Sequence, residues 1–381
     1  MLIGKALSTN QQAEIFTSNL SPFLKWPGGK SSEMNKISKA APKISISRFI
    51  EPFVGGGSVL LAVDPTIPAM ANDICPELID LYQCGSVGDK ILKTELFKLS
   101  DFWESIDLHE GKWLGLSSEI MASSINSDQV LLKVFSIILT EIEKFGEEFS
   151  KEFTRRITKD LPLKLKRMQK LQIEKTRTLP LNEFADNLEG SVRAAFYMAI
   201  RNRYNRARIN NIFTKQRTAD FLFLREYCYA SMFRFNAKGE FNIPYGGISY
   251  NRKKFSSKIN RLFGSQMKKR LTNTDFYCSD FEDFLESANL TQFDFIFVDP
   301  PYDSDFTDYD GREFRNYDQE RLANYLEKSS SMVMVVIGDT ELIRSLYSSP
   351  KWKIQENDLQ YKWTIKSRNE RAKTHLTITN Y

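Results

Sequence analysis

The stretch that decides the fold is Phe293-Asp294-Phe295-Ile296-Phe297-Val298, followed directly by Asp299-Pro300-Pro301-Tyr302. The first six residues are apolar or aromatic except for one aspartate, which is typical of a strand buried in a parallel sheet. Two prolines then end the strand, because neither can donate a hydrogen bond to a neighbouring strand. A carboxylate, a rigid turn and an aromatic ring therefore follow the carboxyl end of a strand, where open α/β sheets bind ligands.

A glycine-rich segment, Glu51-Pro52-Phe53-Val54-Gly55-Gly56-Gly57-Ser58-Val59-Leu60, fits the same site. Residues 46–50 predict a short strand, the glycines predict a tight turn that a ligand can approach closely, and Ser58 onward predicts a helix. Asp73 follows the apolar stretch 67–71, at the position where an acid binds ribose in nucleoside-binding α/β folds. The GxGxxG spacing of dinucleotide sites is absent, so the pattern favours a different cofactor that contains a nucleoside.

Two further segments complete a family pattern. Residues 23–30 read FLKWPGGK, and residues 234–245 read RFNAKGEFNIPY. Together with the glycine-rich turn and DPPY, they occur in the order found in the Dam-type (alpha-group) adenine-N6 DNA methyltransferases, which the chain resembles. The four motifs frame the chain from residue 22 to the C-terminus, although none of them falls within residues 100–220. The resemblance implies an enzyme that transfers a methyl group from S-adenosylmethionine to the N6 amine of adenine in duplex DNA.

The resemblance also implies how the DPPY turn works. The exocyclic amine of adenine is a poor nucleophile because its lone pair is delocalised into the ring. The carboxylate of Asp299 and the carbonyl of Pro300 would each accept an amine hydrogen, and Tyr302 would stack on an adenine that has left the duplex. No metal is expected, since the sulfonium is already an activated methyl donor. Alignment and preorganised charge would supply the catalysis.

A set of cofactor-binding residues follows from the same resemblance. Trp26 and Lys30 match positions at the methionine end of S-adenosylmethionine, where a cation suits a carboxylate. Asp73 matches the ribose ligand, and Asp280 with Phe281 stands where the adenine ring is received. The full set expected at the cofactor site is Trp26, Lys30, Phe53, Gly55, Gly57, Asp73, Asp280, Phe281 and Asp299. Two alternatives stay open, in which Trp26 is a core residue and Asp73 caps a helix.

The expected DNA contacts from the family pattern are Lys25, Tyr229, Arg234 and Asn236. Where Dam-like chains often read Tyr-Asn-Gly-Leu, residues 229–232 read Tyr-Ala-Ser-Met, so the usual intercalating asparagine is missing. The fork of an arginine at position 234 matches guanine O6 and N7 in the major groove. We therefore predict an adenine target inside a guanine-containing site that is longer than GATC or different from it, with palindromic symmetry left open.

Charge is unevenly placed along the chain. The formal net charge is +5, but residues 151–217 hold 17 Lys and Arg against 6 Asp and Glu. Within this block Arg201, Arg203, Arg206 and Arg208 interleave with Tyr204 and several asparagines, which suits contacts with phosphates and base edges. The alternative is a solvated helical face. We predict that these four arginines contact DNA.

Composition excludes several other classes of protein. The chain has 381 residues, of which 41% are hydrophobic, so cores for two domains can form. Four scattered cysteines without a CxxC pair predict a reducing, cytoplasmic location rather than a disulfide framework. Residues 1–20 carry no long apolar core, so no signal peptide or membrane span is expected. Only His109 and His375 are present, which argues against a histidine metal site or a Ser-His-Asp triad.

The fold class expected is α/β, a doubly wound Rossmann-like methyltransferase sheet interrupted by a mainly helical target-recognition insertion. The boundaries expected are an N-terminal extension at 1–20, a split catalytic domain at 21–95 and 256–381, and the insertion at 96–255. Apolar positions at helical spacing in 131–145 and 192–203 support helices in the insertion. Further strands are predicted at 276–278 and 332–337, and a terminal hairpin from 352–354 and 375–378.

The motifs also bear on other kinds of methyltransferase. A cytosine-C5 methyltransferase needs a nucleophilic cysteine after proline, and the chain has Cys75-Pro76 but no Pro-Cys. Cytosine-N4 and RNA adenine methyltransferases share a PPY-type turn, but the leading aspartate and the motif order disfavour both. The prediction is a site-specific adenine methyltransferase that is the modification partner of a restriction system, with a separately acting restriction endonuclease as its partner. A solitary Dam-like regulatory enzyme and a catalytically silent DNA-binding module stay open as alternatives.

Overall fold

The framework of the protein is a seven-stranded sheet. The computed structural model describes residues 14–122, 125–174, 179–301, 314–359 and 373–381. The strands are β1 Arg48–Glu51, β2 Ala69–Asn72, β3 Thr274–Tyr277, β4 Asp294–Val298, β5 Met332–Gly338, β6 Lys353–Leu359 and β7 Lys373–Thr379. Their order across the sheet is β3-β2-β1-β4-β5-β7-β6.

Strands β1 to β5 are parallel, and β7 runs antiparallel between β5 and β6. The parallel strands therefore present their carboxyl ends along one edge of the sheet. The chain order changes direction between β1 and β4, which are neighbours in the sheet. Ligands of open α/β sheets bind at such a switch point, and the glycine-rich turn follows β1 while DPPY follows β4.

Strand β4 confirms the interpretation of the most apolar stretch, since all five of its residues are buried. Its single charged residue, Asp294, is fully covered and receives two hydrogen bonds from Arg48, at 3.0 Å from Nε and 2.7 Å from Nη2. A bidentate arginine satisfies both carboxylate oxygens. An aspartate can therefore stand at the start of this central strand without leaving an unpaired buried charge.

Helices cover the sheet and fill the segment between β2 and β3. They are α1 Met34–Ala40, α2 Pro76–Val87, α3 Lys90–Leu108, α4 Glu110–Met121, α5 Ser127–Glu143, α6 Glu147–Glu174, α7 Leu181–Ile209, α8 Lys215–Tyr227, α9 Ser256–Leu262, α10 Ser265–Thr272, α11 Phe281–Ser287, α12 Asn316–Lys328 and α13 Glu341–Leu346. No described helix combines the length and the apolar character needed to cross a membrane.

Aromatic rings hold the helical segment together. Phe102 of α3 stacks on Phe196 of α7 with ring centroids 4.1 Å apart. The same apolar core includes Phe49 of β1 and Phe295 of β4, so the helices pack continuously onto one face of the sheet. The domain boundaries at residues 95 and 256 stay a prediction, and α3 already begins at Lys90.

The predicted α/β class with a Rossmann-like methyltransferase sheet is confirmed, and the terminal hairpin is present as β6 and β7. The helix predicted from Ser58 is wrong, because only a 3-10 turn forms at Leu60–Ala62. Pro65 explains the early end, since a residue before proline avoids the helical region. The Asp64 carboxylate instead accepts hydrogen bonds from the backbone and the hydroxyl of Thr66.

Candidate active site

The DPPY segment leaves β4 with a buried ion pair at its first residue. Both oxygens of Asp299 accept hydrogen bonds from Lys30 Nζ, at 2.6 Å and 2.7 Å. The same Nζ donates to the Gly28 carbonyl at 2.9 Å, and the Lys30 side chain is only 1% exposed. The resemblance predicts that Lys30 faces the methionine carboxylate of the cofactor. Its charge instead lies on Asp299, so this contact of the FLKWPGGK loop fixes the orientation of the candidate catalytic carboxylate.

Two opposing influences act on the pKa of Asp299. Burial is the largest influence and raises the pKa of this carboxyl above its ordinary value, while Lys30 lowers it through charge and hydrogen bonding. Glu33 adds a weaker raising effect and His375 a weaker lowering one. A desolvated carboxylate in a fixed orientation is a stronger hydrogen-bond acceptor than one in water.

The glycine-rich turn after β1 needs its glycines for two separate reasons. Gly55 and Gly57 have φ of 46° and 70°, in the left-handed region that disfavours other residues. A Cβ on Gly57 would lie 2.5 Å from the Tyr82 hydroxyl, and one on Gly55 would lie 2.8 Å from a ring carbon of Trp26. The turn thus packs tightly against Trp26 and Tyr82, and its backbone lies at the carboxyl edge of the sheet.

Asp73 follows β2 and ties the glycine-rich turn to the next helix. One carboxylate oxygen accepts a hydrogen bond from the Gly55 N–H at 3.0 Å, and the other accepts one from the Cys75 N–H at 3.0 Å. Cys75 is the N-cap of α2, so Asp73 supports the start of that helix without being the cap itself. Its side chain also faces the cavity described next, as the prediction of a ribose ligand requires.

A cavity of about 600 Å³ opens at the carboxyl edge between β1 and β4. This volume is in the range of small-molecule sites. Of the residues predicted to bind the cofactor, those that line it are Trp26, Phe53, Gly55, Asp73, Asp280, Phe281 and Asp299. Pro300 also lines the cavity, whereas Lys30 and Gly57 do not. The structure therefore brings together residues that are spread over more than two thirds of the chain.

One wall of the cavity is aromatic. The rings of Phe53, Phe281 and Phe314 lie with centroids 5.5 to 5.8 Å apart. Asp280 caps α11 by accepting from the Glu282 N–H, and its carboxylate pairs with Arg321 at 2.7 Å. Flat apolar surfaces beside a fixed carboxylate suit a heteroaromatic ring that carries an amine. Phe314 belongs to none of the motifs that the sequence offers.

Glu51 is a further cavity residue that the motif analysis does not single out. It is the last residue of β1, is 2% exposed, and its Oε2 has no hydrogen-bond partner among the described residues. Burial, followed by the charges of Asp299 and Asp73, raises the pKa of Glu51 well above its ordinary value. A buried acid at the end of a strand, directly before a glycine turn, is a sequence signal that could have identified it.

Residues 229–232 form an exposed tight turn. The Met232 N–H donates to the Tyr229 carbonyl at 3.1 Å, and the two central residues, Ala230 and Ser231, have φ of 53° and 55°. Two successive left-handed residues define a turn that Asn-Gly favours and that strains Ala-Ser. The unusual sequence thus keeps the backbone shape expected of the family's Asn-Gly, with the side chains of Tyr229 and Met232 exposed by 54% and 45%.

The remaining residues predicted to contact DNA differ in how free their side chains are to reach it. Arg234 is exposed, and Lys25 is 40% exposed with its Nζ 3.5 Å from Glu226. Asn236 is occupied locally, since its side-chain oxygen accepts from the N–H groups of Lys238 and Glu240. Asn236 therefore shapes the 236–240 turn, and Arg234 and Lys25 are better placed to reach a partner.

The four arginines of α7 are largely committed to contacts within the protein. Arg203 forms a bidentate pair with the buried Asp220, at 2.6 Å and 2.9 Å. Arg201 donates to the carbonyls of Asn242 and Ile243, and Arg208 donates to the Gly239 carbonyl at 2.6 Å. Arg206 is about half exposed and pairs with Glu148. The prediction that all four contact phosphates is therefore not supported for Arg201, Arg203 and Arg208, whose charges brace the 239–243 segment and α8.

Comparison with known proteins now decides the family. Residues 26–100 and 145–363 match the D12 class N6 adenine-specific DNA methyltransferases. The chain belongs to this family. The match takes in residues 26–30 of the FLKWPGGK loop, the glycine-rich turn, the 229–245 segment and DPPY.

Individual relatives of this D12-class methyltransferase carry consistent names. A type II methyltransferase, M.MjaIII, from Methanocaldococcus jannaschii is 28% identical over 316 residues, which are 81% of this chain and 79% of the relative. The retron Ec67 DNA adenine methylase of Escherichia coli is 27% identical over 86% of this chain and 81% of the relative. The type II methyltransferase M.CviBI of Paramecium bursaria Chlorella virus NC1A is 34% identical over 42% of this chain and 60% of the relative.

As a D12-class enzyme, the protein is an adenine-specific DNA methyltransferase, and the family implies DNA as substrate and S-adenosylmethionine as methyl donor. Two observations fit that donor to the cavity. The glycine turn lines the cavity with backbone at Gly55 and Gly56, and the buried Oε2 of Glu51, which lacks a hydrogen-bond partner among the described residues, is suited to an ammonium group. Tyr302, predicted to stack on the target base, lies outside the described residues.

Proposed function

We propose that this enzyme methylates the N6 amine of an adenine that has been rotated out of duplex DNA, within a specific recognition sequence. The observation that carries the proposal is the carboxylate of Asp299, oriented by Lys30 at the mouth of a cavity that has an aromatic wall and a glycine-turn floor. Extrusion is required because the amine of a paired adenine is stacked inside the duplex. It costs a few kcal/mol, which DNA contacts must offset.

At the reacting centre, the chain's own groups act on the amine. The carboxylate of Asp299 accepts one N6 hydrogen and the Pro300 carbonyl accepts the other, so the nitrogen lone pair turns out of the ring plane. When bound, S-adenosylmethionine supplies a methyl group on a cationic sulfur, which keeps the carbon–sulfur electron pair as nitrogen forms its new bond. Asp299 then takes up or passes on the proton that nitrogen loses. Lys30 stabilises the carboxylate throughout and prevents it from rotating.

The cofactor residues divide the cavity by chemistry. Phe53 and Phe281 supply flat surfaces for the adenine ring of S-adenosylmethionine, and Asp280 offers an acceptor for the amine of that ring. Asp73 combines two tasks, because it already fixes the Gly55 N–H and it faces the cavity where a ribose hydroxyl would bind. Glu51 would accept the methionine ammonium, which is the partner that its buried Oε2 requires.

Recognition of the DNA target sequence would come from the exposed side chains of Arg234, Lys25 and the Tyr229–Met232 turn. Arg234 is suited to one guanine, Lys25 to a neighbouring acceptor, and the Tyr229–Met232 turn to stacking or apolar contact with bases. A site that contains guanine and differs from plain GATC, without required symmetry, remains our proposal for the target. Restriction-system membership is likewise proposed, because two relatives are named type II methyltransferases. The cognate endonuclease would act separately in the same cytoplasm.

Backbone contacts outside the target would come from α6 rather than from α7. The first turn of α6 is held to Arg206 of α7 through Glu148, and two residues further along α7 Arg208 donates to the Gly239 carbonyl of the 234–245 segment. Lys159, Lys166 and Lys170 are exposed and lie seven and four residues apart, which places them on one face of this helix. They stand roughly 18 to 35 Å along the helix from its first residue. With α6 lying along the duplex and its first turn at the target, these distances correspond to phosphates about 5 to 10 base pairs away, at 3.4 Å per base pair.

Long-read modification mapping tests the proposed reaction. The purified protein is incubated with unmethylated plasmid and S-adenosylmethionine, with Asp299→Asn as the matched inactive control. N6-methyladenine at one defined sequence, absent with the control, is the expected result. Methylation on cytosine, or methylation without any sequence preference, would contradict the proposal.

A further inference from the structure

Arg225 stands between the two halves of the candidate site. It lies in the last turn of α8 and is 1% exposed. Its guanidinium carbon is 4.5 Å from the ring centroid of Trp26 and 4.6 Å from that of Phe233. One of its terminal nitrogens also donates to the Lys25 carbonyl at 2.5 Å. A planar cation thus joins two aromatic rings and the loop that carries a predicted DNA contact.

The ring on one side belongs to the cofactor half. Trp26 lines the cavity, and its ring packs so closely on the glycine-rich turn that a Cβ on Gly55 would lie 2.8 Å from it. A Cβ on Gly56 would likewise lie 2.9 Å from the Trp26 side chain. Any rearrangement of the turn on cofactor binding must therefore move Trp26 or be resisted by it.

The ring on the other side belongs to the DNA half. Phe233 precedes Arg234 directly and stacks on Phe241 with centroids 4.3 Å apart. The Asn242 N–H donates to the Arg234 carbonyl at 3.2 Å, so the strand-like pair on either side of the 236–240 turn moves with this stack. The position of the Phe233 ring thus helps to set where Arg234 presents its side chain.

We propose that Arg225 is a positioning residue that couples the two halves, so that filling the cofactor cavity and engaging the target sequence strengthen each other. The inference rests on the proposed function. A guanidinium within cation–π distance of two rings holds both near a fixed spacing, because it attracts each of them. A lysine keeps the charge but lacks the planar guanidinium, so it can preserve only part of the coupling.

Equilibrium binding measures this coupling without turnover. The dissociation constant of S-adenosylhomocysteine is determined with and without a duplex that carries the mapped target, for wild type, Arg225→Met and Arg225→Lys. Arg261→Met is the matched control, since Arg261 also donates to a carbonyl of the same loop, that of Pro22 at 3.0 Å, and is exposed. Phe233→Leu removes the second ring by an independent route, and melting curves confirm that each variant is folded.

In wild type and Arg261→Met we expect the target duplex to tighten S-adenosylhomocysteine binding by roughly five-fold or more, and S-adenosylhomocysteine to tighten duplex binding by the same factor. Folded Arg225→Met and Phe233→Leu should lower that factor to within roughly two-fold of unity, with Arg225→Lys in between. An unchanged factor in Arg225→Met, or no coupling in wild type, overturns the inference while methylation of adenine by wild type still supports the proposed reaction. Failure of wild type to methylate adenine would overturn the proposed function independently.

Discussion

Lys30 Nζ lies within 2.7 Å of both carboxylate oxygens of Asp299, although 269 positions separate the two residues in the chain. The ion pair joins the FLKWPGGK loop to the DPPY turn, so the loop that leads into the cofactor cavity also orients the candidate catalytic acid. A carboxylate held on both oxygens cannot rotate freely, and Asp299 also lines the cavity. Orientation and charge are therefore set by one side chain.

The ion pair predicts a pH dependence. Burial raises the pKa of Asp299 and Lys30 opposes that effect. Only the carboxylate can accept the amine hydrogen, so kcat should fall as pH falls through this pKa. Lys30→Met removes the lowering influence, and we expect the acid limb of the kcat profile to move to higher pH. Lys39→Met, at an exposed lysine of α1, is the control, and an acid limb that coincides with wild type would refute the role given to Lys30.

Removing the Asp299 carboxylate should lower both activity and stability, each for its own reason. Asp299→Ala should lower methyl transfer by ~10²-fold or more while leaving cofactor and DNA binding largely intact. It also breaks the ion pair of the Lys30 cation, which is 1% exposed, and breaking a buried ion pair by removing one partner costs roughly 3–5 kcal/mol. The double variant Lys30→Met/Asp299→Ala should therefore unfold at a higher denaturant concentration than Asp299→Ala. A double variant that is less stable than the single one would show that the pair is not coupled.

Much of this site could be predicted from sequence because parallel strands bring their carboxyl ends together. The glycine turn after β1, Asp73 after β2, Asp280 after β3 and Asp299 after β4 each follow a recognisable strand, and all of them line the cavity. The positions of individual strands were likewise within reach, since β4 and β5 are nearly uninterrupted apolar runs.

What escaped prediction depends on long-range packing. Nothing in the local sequence distinguishes an arginine that braces the fold from one that binds phosphate, and the partner of Arg203 is Asp220 on the next helix. The motif alone assigns Lys30 to the cofactor, because its pairing with Asp299 arises only when loop and turn pack together. The helix expected from Ser58 fails for a different reason, since Pro65 shortens it to a single turn.

Glu51 should lower the stability of the unliganded protein and strengthen cofactor binding. Its pKa is raised well above the ordinary value, chiefly by burial, so the fold favours the protonated form. The free energy of unfolding should consequently decrease as pH rises from the unfolded pKa of about 4.3 through the raised folded value. Glu51→Gln should abolish this decrease, making the unliganded protein more stable than wild type at pH 8, yet bind S-adenosylhomocysteine roughly ten-fold more weakly.

Calorimetry and thermal melting across pH 5–9 would test both halves, with the exposed Glu110→Gln as control. Unaltered affinity in Glu51→Gln would remove Glu51 from the cofactor site. A stability profile parallel to that of wild type would show that burial of its charge is unimportant.

The basic face of α6 should act on flanking DNA. Lys166→Gln/Lys170→Gln should weaken binding of a 40-base-pair duplex, cognate or not, and reduce its salt slope by about one unit for each phosphate that is no longer neutralised. A duplex with only about four base pairs on either side of the target should bind both proteins equally, because it ends before the lysines are reached. The control is Lys268→Gln/Lys269→Gln, two exposed lysines on α10. Equally weakened binding of short and long duplexes would place these lysines at the target itself.

The last prediction separates the shape of the reading turn from its chemistry. Ala230 and Ser231 both occupy left-handed conformations, which cost of order 1–3 kcal/mol each for residues other than glycine and asparagine. Ala230→Asn/Ser231→Gly supplies the residues this turn favours, and we expect a higher melting temperature with the same methylated sequence. Arg234→Ala should instead leave stability nearly unchanged and relax the requirement at one guanine by ~1–3 kcal/mol.

Modification mapping of both variants distinguishes the two effects. If base reading resides in the exposed side chain of Arg234, only Arg234→Ala will methylate sites that lack the guanine. If Asn and Gly in the turn alter the target, the strain at Ala230 and Ser231 has been retained because it determines specificity. If wild type methylates every GATC without any flanking preference, the proposed longer or different target is wrong, and the adenine methyltransferase assignment is unaffected.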